Sequence, residues 1–358
     1  MESCILFANT DRSILVVDIP RSIELAQIVT PQHVDRQLIS CKALDEPWQT
    51  RDPGQSQNPS MSRSASAAID ELMIGAVVQE ALQEVRGAYT GPWLLPRVTE
   101  SQQRGNTKDA AMSHKRKPSI HDNEQINEVP VPYIPPGSHY LLGAIASQRD
   151  EFLKTAPTFD LMVLDPPWPS RSVRRKKNRY STAYDMQDTR SLLSLIPIAS
   201  HLKSNGLIAI WVTNKPAVVD LLKSPGGMFD QWDLESIAEW VWVKVTSKGV
   251  PVVDLESVWR KPWERLLIAR KKSGSMRLCP DRKVIFGVPD LHSRKPNLSS
   301  LFKEVLPENY LALEVFSRNL TADWWSWGDQ TLMFQQRHHW IEGTISEGCE
   351  INDPRRHD

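Results

Sequence analysis

Apolar and polar positions are organised differently before and after residue 131. After it, three runs at residues Phe159–Leu164, 207–212 and 311–316 are almost wholly apolar. Runs of this kind are typical of strands that are buried on both faces of a parallel sheet. Further strand-like segments occur at residues 238–245 and 264–269, and helical spacing occurs at residues 189–202, 216–223 and 298–306. Because strands alternate with helices, we predict an α/β fold with a doubly wound sheet, in which ligands bind beyond the carboxyl ends of the strands.

The residues before position 131 are more heterogeneous. Two short apolar runs, Ile5–Ala8 and Ile14–Val17, flank a polar turn and predict a hairpin, and residues 68–88 carry apolar side chains at helical spacing. Residues 45–66 and 102–129 have little apolar surface to bury, so we predict two flexible linkers there. We divide the chain into an N-terminal accessory region (residues 1–130), an α/β domain (131–345) and a polar tail (346–358).

Composition places the chain among globular proteins. Its 358 residues, 40% hydrophobic and 24% charged, are enough to bury a sizeable core, which excludes wholesale disorder. Lys plus Arg and Asp plus Glu are equal at 43 each, so any indication of a polyanionic partner must be local. No run approaches the ~18 apolar residues of a membrane span, and the N-terminus lacks the pattern of a signal peptide. We therefore expect no membrane association.

The cysteines indicate a reducing compartment. Cys4, Cys41, Cys279 and Cys349 are scattered and form no C-x-x-C pair, which argues against a zinc site or a disulfide framework. We therefore expect no bound metal. Residues 114–118 (HKRKP) are more typical of a solvated basic stretch than of a nuclear-import patch, which is the alternative. We predict a nuclear location and leave the cytosol open.

The residues that carry chemistry directly follow the predicted strand Phe159–Leu164. They are Asp165, Pro166, Pro167 and Trp168. The two prolines fix φ and have no backbone N–H, so the loop is stiff and its carbonyl oxygens are free to accept hydrogen bonds. The loop thereby holds an aspartate and an aromatic residue at the edge of the sheet where ligands bind. The alternative is a strand-terminal turn in which Asp165 caps a backbone N–H and Trp168 fills the core.

Such a loop has the groups required to alkylate an exocyclic amine of a nucleobase. The amine nitrogen is a weak nucleophile because its lone pair is delocalised into the ring. The Asp165 carboxylate and the Pro166 carbonyl can each accept one N–H, which draws the nitrogen towards tetrahedral geometry and stabilises the developing positive charge. Trp168 is predicted to stack on the base and exclude water. We therefore predict that Asp165, Pro166, Pro167 and Trp168 are catalytic.

A basic segment follows this loop and reveals charge that the zero net charge conceals. Six cations occur in nine residues with no acidic residue among them, and two tyrosines, Tyr180 and Tyr184, come next. A basic segment with aromatic residues beside a base-binding loop is suited to binding phosphates, with a mobile solvated loop as the alternative. The predicted nucleic-acid-binding residues are Arg171, Arg174, Arg175, Lys176, Lys177, Arg179 and Tyr180.

Further motifs follow in order along the chain. They are SVRR (residues 172–175), RY (179–180), WVWVK (240–244), KPWE (261–264), HSRKP (292–296), EVFSRNL (314–320) and SWGDQ (326–330). With the DPPW tetrapeptide at residues 165–168, they resemble the MT-A70 family of S-adenosylmethionine-dependent adenine-N6 methyltransferases. The most similar branch is that of methyltransferase-like protein four. The resemblance covers roughly residues 131–340.

The resemblance implies a permuted Rossmann-like methyltransferase fold, in which the catalytic strand precedes the segments that bind the methyl donor. It also implies that S-adenosylmethionine is the cofactor. Asp165 would contact both the adenine amine and the donor's methionyl part, and Lys295 would pair with the donor carboxylate or lie near the target base. The implied cofactor-binding residues are Asp165, Lys295, Arg318, Asn319, Asp329 and Gln330.

The chain departs from the family pattern at two positions. Asp329 stands where the branch usually has Asn, although a carboxylate can still accept hydrogen bonds from ribose hydroxyls. Ala144 stands where an acidic residue that contacts the donor is expected. The G-x-G-x-x-G signature of ordinary dinucleotide sites is absent, as the family leads one to expect.

The function predicted from the sequence is adenine-N6 methylation of nucleic acid, with RNA, such as a small nuclear RNA, favoured over DNA. The chemistry at the base edge is the same for both, and only contacts to the 2′-hydroxyl differ. A catalytically silent, nucleic-acid-binding partner subunit is the non-enzymatic alternative. Cytosine-N4 methylation ranks lowest, because enzymes of that kind usually carry Ser at the position of Asp165. We expect a monomer and leave a partner subunit open.

Overall fold

The computed structural model describes residues 3–29, 36–49, 65–99, 131–169, 185–257, 260–274 and 279–342. Several predicted segments lie outside these ranges: the basic segment 171–180, the linker 102–129 with its import patch, the tail 346–358 and most of the linker 45–66. The roles of these segments, the nuclear location and the monomeric state stay predictions.

Most strands of the described chain join one large sheet. The strands are β1 (Ile5–Ala8), β2 (Ile14–Val17), β3 (Arg36–Ser40), β4 (Val98–Thr99), β5 (His139–Leu142), β6 (Phe159–Leu164), β7 (Leu202–Val212), β8 (Leu234–Lys244), β9 (Trp263–Lys271), β10 (Arg282–Gly287), β11 (Ala312–Val315), β12 (Trp325–Gly328) and β13 (Trp340–Glu342). Ten of them form the order β1-β2-β10-β8-β9-β7-β6-β11-β12-β5, and β13-β3-β4 form a small separate sheet. Pairing in the large sheet is parallel except where β1 meets β2 and where β9 meets β7 and β8. The predicted α/β fold is confirmed.

The helices of the described ranges cover both faces of the large sheet. They are α1 (Ile19–Leu25), α2 (Ala65–Ala88), α3 (Ile145–Thr155), α4 (Met186–Ser194), α5 (Ile198–His201), α6 (Pro216–Lys223), α7 (Met228–Gln231) and α8 (Ser299–Phe302). None of these helices combines the length and the apolar character that crossing a membrane requires.

The sheet is buried on both faces because its central strands contain nearly continuous apolar runs. In β7, Ile208 and Ile210 point into one cluster, which also contains side chains of α3, α4 and α6. Leu207 and Ala209 point into the opposite cluster, which contains side chains of α1 and α8. Alternate side chains of a strand point to opposite faces, so a two-sided core requires an uninterrupted apolar run. This confirms the interpretation of the apolar runs.

The N-terminal region is integrated into the fold, whereas the sequence predicts an appended region. The predicted hairpin forms, but β2 also pairs in parallel with β10, with Leu15 opposite Ile285. The predicted helix α2 packs on the adjoining strands, where Val78 and Leu82 share a cluster with Phe286. The hairpin and α2 thereby cover apolar groups of β10 that would otherwise be exposed to water.

Two predicted helices are shorter than their sequence patterns suggest, and one predicted strand is antiparallel to its neighbours. Residues 189–202 divide into α4 and α5 with Pro197 between them, because proline cannot donate the backbone hydrogen bond of a helix interior. Of residues 298–306, only Ser299–Phe302 form a helix. The strand predicted at residues 264–269 is antiparallel β9, so the sheet is mixed.

Candidate active site

The carboxyl ends of the central strands meet at a charged pocket. Strand β6 is parallel to both of its neighbours, and Leu164 pairs with Val315 of β11 on one side and with Ile210 of β7 on the other. The residues that follow these strands therefore lie side by side at one edge of the sheet. The pocket at this edge is lined by Val163, Asp165, Trp211, Ser293, Lys295, Pro296, Asn297, Leu298, Glu314, Phe316, Arg318, Asn319 and Trp324. Four of the predicted site residues, Asp165, Lys295, Arg318 and Asn319, are thus brought together.

The loop after β6 is held by backbone and side-chain hydrogen bonds. The backbone N–H of Asp165 donates to the carbonyl of Val315 at 3.2 Å, which continues the pairing of β6 with β11. The backbone N–H of Trp168 donates to the carbonyl of Pro166 at 2.8 Å and closes a tight turn. A carbonyl oxygen has two lone pairs, so Pro166 retains one acceptor site.

Trp168 lies in the core, which revises the expectation that it stacks on a base. Its side chain is 9% exposed and packs in the cluster that contains Leu164 and Val212. Its Nε1 donates to the carbonyl of Trp211 at 2.7 Å. A buried indole needs such a partner, and this bond ties the loop to the end of β7. The described contacts make Trp168 an anchor of the loop.

The Asp165 carboxylate is oriented by two cations. Its Oδ1 accepts from Lys295 Nζ at 2.9 Å, and its Oδ2 accepts from Arg318 Nη1 at 2.9 Å. The Asp165 side chain is 13% exposed, so these are hydrogen bonds between charged groups with restricted access to water. Each oxygen keeps a further lone pair for a substrate N–H.

A second carboxylate extends the charged network away from Asp165. Glu264, at the start of β9, accepts from Lys244 Nζ at 2.5 Å and lies 3.2 Å from Lys295 Nζ. Burial alone would raise the pKa of Glu264, but the two ammonium groups outweigh it and hold that pKa at about 2. Burial would lower the pKa of Lys295, yet Asp165 and Glu264 raise it. Lys295 therefore stays charged between the side chains of Asp165 and Glu264.

The pKa of Glu314 in β11 is raised, whereas that of Glu264 is lowered. Burial and the nearby Asp165 carboxylate raise the pKa of Glu314 to about 8, against the opposing influence of Arg318 and Lys295. At neutral pH its carboxyl group is mostly protonated and can donate a hydrogen bond into the pocket. The pocket therefore offers a neutral carboxylic acid beside an ionised carboxylate.

Two residues of the pocket wall have backbone angles that are rare for side chains with a Cβ. Phe316 has φ 63° and Ser293 has φ 73°. Such conformations cost on the order of 1 kcal/mol and persist where the surroundings enforce them. The backbone N–H of Phe316 donates to the carbonyl of Trp327 at 2.7 Å, which holds the turn between β11 and Arg318.

The remaining predicted cofactor residues lie at or near the same edge. Gln330 Oε1 accepts from Arg318 Nε at 3.1 Å. Asp329 is exposed and has no hydrogen-bond or ion-pair partner in the described part of the chain. Ala144 precedes α3 and makes no side-chain hydrogen bond to cap it. The structure thus groups Asp165, Lys295, Arg318 and Gln330 through direct contacts.

The sequence analysis assigned no role to three charged groups of this site. Lys244 and Glu264 occur in quoted motifs, and Glu314 interrupts the apolar run at residues 311–316. The available signal was a charged residue within or at the end of a buried strand, because such a group must find a partner. Within the described ranges, no three His, Cys, Asp or Glu side chains are arranged to hold a metal ion.

Comparison with known proteins agrees with the motifs. The sequence profile of the MT-A70 family matches residues 159–330. The chain is 45% identical over 347 residues to an N6-methyladenosine RNA methyltransferase MTA1 of Cryphonectria parasitica, covering 94% of each protein. It is 42% identical over 369 residues to the protein of that name from Pyricularia oryzae, covering 95% of this chain and 97% of the relative. The human N(6)-adenine-specific methyltransferase METTL4 is 36% identical over 219 residues, which are 58% of this chain and 44% of METTL4. With a mostly parallel sheet of Rossmann-like type and similarity along nearly its whole length, the chain belongs to the MT-A70 family.

Proposed function

We propose that this protein transfers a methyl group from S-adenosylmethionine to the N6 amine of adenine in RNA. The observation that carries the proposal is the placement of Asp165 at the end of β6, with both carboxylate oxygens oriented by Lys295 and Arg318. This arrangement provides a fixed acceptor for an exocyclic amine at the edge of the sheet where ligands bind.

RNA is the substrate that the relatives favour. The two relatives that match nearly the whole chain are named as RNA methyltransferases. A protein of Caenorhabditis elegans named DNA N6-methyl methyltransferase is 32% identical over 225 residues, which are 62% of this chain. DNA adenine is therefore the second candidate substrate.

The donor groups of the pocket match the groups of S-adenosylmethionine. The cationic side chains Lys295 and Arg318 suit its carboxylate, and the Asp165 carboxylate suits its ammonium. Asn319, Asp329 and Gln330 supply acceptors and donors for ribose hydroxyls, and among the described residues Asp329 has no partner that would compete. When bound, S-adenosylmethionine supplies an electrophilic methyl group.

The residues of the loop prepare the amine. Asp165 accepts one N–H of the adenine amine, and the free lone pair of the Pro166 carbonyl accepts the other. The nitrogen lone pair is then less delocalised, and the positive charge that develops on nitrogen lies against a carboxylate. Because Lys295 and Arg318 both donate to Asp165, its carboxylate acts as a hydrogen-bond acceptor. The methylated nitrogen is cationic and strongly acidic, and its extra proton passes to water. Trp168 keeps the loop in place through its bond to Trp211.

The test is methyl transfer from labelled S-adenosylmethionine to matched RNA and DNA oligonucleotides, comparing wild type with Asp165→Asn. The amide keeps the size of the side chain but removes its charge and one acceptor. We expect wild type to methylate adenine N6 in RNA faster than in DNA, and Asp165→Asn to reduce the rate by a factor of at least about 100.

The matched control is Asp281→Asn, which neutralises an exposed carboxylate next to the amino end of β10. It should retain the wild-type rate. Nearly normal turnover by Asp165→Asn would contradict the assigned role. A wild-type protein that binds RNA but transfers no methyl group would favour the catalytically silent alternative.

A further inference from the structure

Two arginines lie against one tyrosine ring outside the pocket. The guanidinium carbon of Arg36 is 4.1 Å from the centre of the Tyr133 ring, and that of Arg337 is 4.9 Å from it. An aromatic face attracts a guanidinium group and holds its plane, so both cations are kept in place without using their hydrogen-bond donors. Two like charges are thereby held close together.

Within the described ranges, most side-chain N–H groups of Arg36 and Arg337 have no acceptor. Arg337 donates from Nε to the carbonyl of Val131 at 3.0 Å, and its two terminal nitrogens have no protein acceptor in the described ranges. Over the same ranges the Arg36 side chain makes no hydrogen bond, and neither arginine has an ion-pair partner. The nearby Glu342 lies with Oε1 3.5 Å from the Tyr133 hydroxyl but forms no ion pair with either arginine. Although Glu342 lies opposite Arg36 in the pairing of β13 with β3, no ion pair within the described ranges neutralises either guanidinium, and two adjacent cations favour a bound anion.

Strand pairing and hydrogen bonds hold the residues of this cluster in place. Arg36 begins β3, which pairs with β13, so that Leu38 lies opposite Trp340. Tyr133 is held on both sides of its peptide, since its N–H donates to the carbonyl of Gln335 and its carbonyl accepts from the Gln335 side chain. The geometry between the cations is therefore built into the fold, which lowers the entropic cost of binding.

Two histidines follow Arg337 in the chain. His338 and His339 follow Arg337, and their rings lie 4.1 Å apart. Burial, together with Arg294 and His338, lowers the pKa of His339 to about 4. His339 is therefore uncharged at neutral pH and adds no positive charge to the arginine pair.

This cluster adjoins the candidate active site. The backbone N–H of Phe334 donates to the carbonyl of Arg318 at 2.8 Å, and Arg318 contacts Asp165. The guanidinium carbon of Arg294, the neighbour of Lys295 in the chain, lies 4.5 Å from the centre of the Phe334 ring. The segment that carries Arg337 is therefore fastened to the turn that forms the pocket wall.

We propose that Arg36 and Arg337, held against Tyr133, form a phosphate-binding site for the backbone of the RNA whose adenine enters the pocket. That the bound nucleic acid is RNA rests on the proposed function. Contacts to phosphate position a nucleic acid without reading its sequence. This site therefore sets the path of the RNA backbone, whereas the pocket selects the base.

The experiment compares wild type with the double variant Arg36→Gln, Arg337→Gln. Binding of a labelled single-stranded RNA is measured by fluorescence anisotropy at several salt concentrations, and kcat and KM for methyl transfer are measured on the same RNA. We expect Kd and KM to rise about tenfold with kcat unchanged, and the slope of log Kd against log salt to fall by about 1.4, because roughly 0.7 is lost per phosphate contact on a single strand. Affinity for S-adenosylmethionine should not change.

Two controls separate this site from general loss of charge. Arg282→Gln removes an exposed cation at the amino end of β10, away from the pocket. Because a surface charge that does not contact the ligand has little effect, the Kd for RNA should stay within about a factor of two of wild type. Arg36→Lys with Arg337→Lys keeps both charges and should restore part of the affinity. An unchanged Kd and salt slope in the double glutamine variant would overturn the proposal, as would a wild-type protein that binds no nucleic acid. If wild type binds RNA but methylates no adenine, the proposed function fails, while the anisotropy comparison still decides whether this site binds phosphate.

Discussion

At the scale of single residues, the pocket works through groups that set one another's ionisation. Asp165 and Glu264 are both paired with Lys295, and Glu264 has a pKa of about 2. Glu314 forms no ion pair within the described ranges and has a pKa of about 8. Carboxyl groups of one site therefore differ in charge at neutral pH, because burial favours the neutral form and an adjacent ammonium favours the ionised form.

The raised pKa of Glu314 predicts a specific dependence of stability on pH. The folded protein binds this proton more tightly than the unfolded chain, whose carboxyl has the ordinary value of 4.5. Stability from this group is fully present below pH 4.5 and is lost as the pH rises towards 8. In Glu314→Gln the side chain stays neutral at every pH. As the pH rises from about 5 to 8.5, the free energy of unfolding of the variant should therefore increase relative to that of wild type by on the order of 3 kcal/mol.

Urea unfolding at several pH values measures this difference. The control is Glu308→Gln, which replaces an exposed carboxylate and should differ from wild type by the same small amount at each pH. A difference between Glu314→Gln and wild type that does not change with pH would show that Glu314 is ionised in the folded protein.

At the scale of secondary-structure elements, α2 shows how one helix can have two environments. Its C-terminal half buries Val78, Leu82 and Val85 against the sheet, whereas Leu72 in its N-terminal half is 73% exposed. Apolar spacing predicts that the helix exists. Which of its turns are covered depends on where the sheet ends beneath it.

Two leucines of α2 provide a matched comparison. Leu82→Ala should lower the free energy of unfolding by about 2–4 kcal/mol, because it removes buried methyl groups and leaves a cavity. Leu72→Ala makes the same chemical change at an exposed position and should alter stability by less than about 0.5 kcal/mol. Urea unfolding of the two variants measures both values. Equal effects at the two positions would contradict the packing of α2 on β10.

At the scale of the whole molecule, distant parts of the chain complete one another. β2 adds to the large sheet beside β10, and β3 pairs with β13. The N-terminal residues thus supply strands on which the later part of the chain depends, and the fold has no simple division at residue 130.

This integration predicts that the α/β part does not fold by itself. A fragment that starts at residue 131 leaves the edge of β10 unpaired and exposes the apolar face that α2 covers. We expect the full chain to unfold in one transition when followed by circular dichroism and by tryptophan fluorescence, and the fragment to show no cooperative transition. A cooperative transition in the fragment would instead support an independent domain after residue 130.

The fold class and the central loop were predictable because their signals are local. The run Phe159–Leu164 is apolar at every position except Asp160, and its six residues are all buried, as expected for a strand that is covered on both faces. The stiffness of the loop follows from two consecutive prolines. The remaining contacts of the site were not predictable in this way, since Lys295 and Arg318 lie 130 and 153 residues from Asp165 along the chain.

The sequence by itself determined the α/β class, the chemistry of the loop at Asp165 and, through the order of its motifs, the family. These features depend on neighbouring residues or on short spacings, which local pattern can express. Only the tertiary structure decided that Trp168 anchors the loop in the core, that Glu264 shares Lys295 with Asp165, and that Arg36 meets Arg337 at Tyr133. Each of these contacts depends on which strands become neighbours, and that choice is made by burial of apolar surface over the whole molecule.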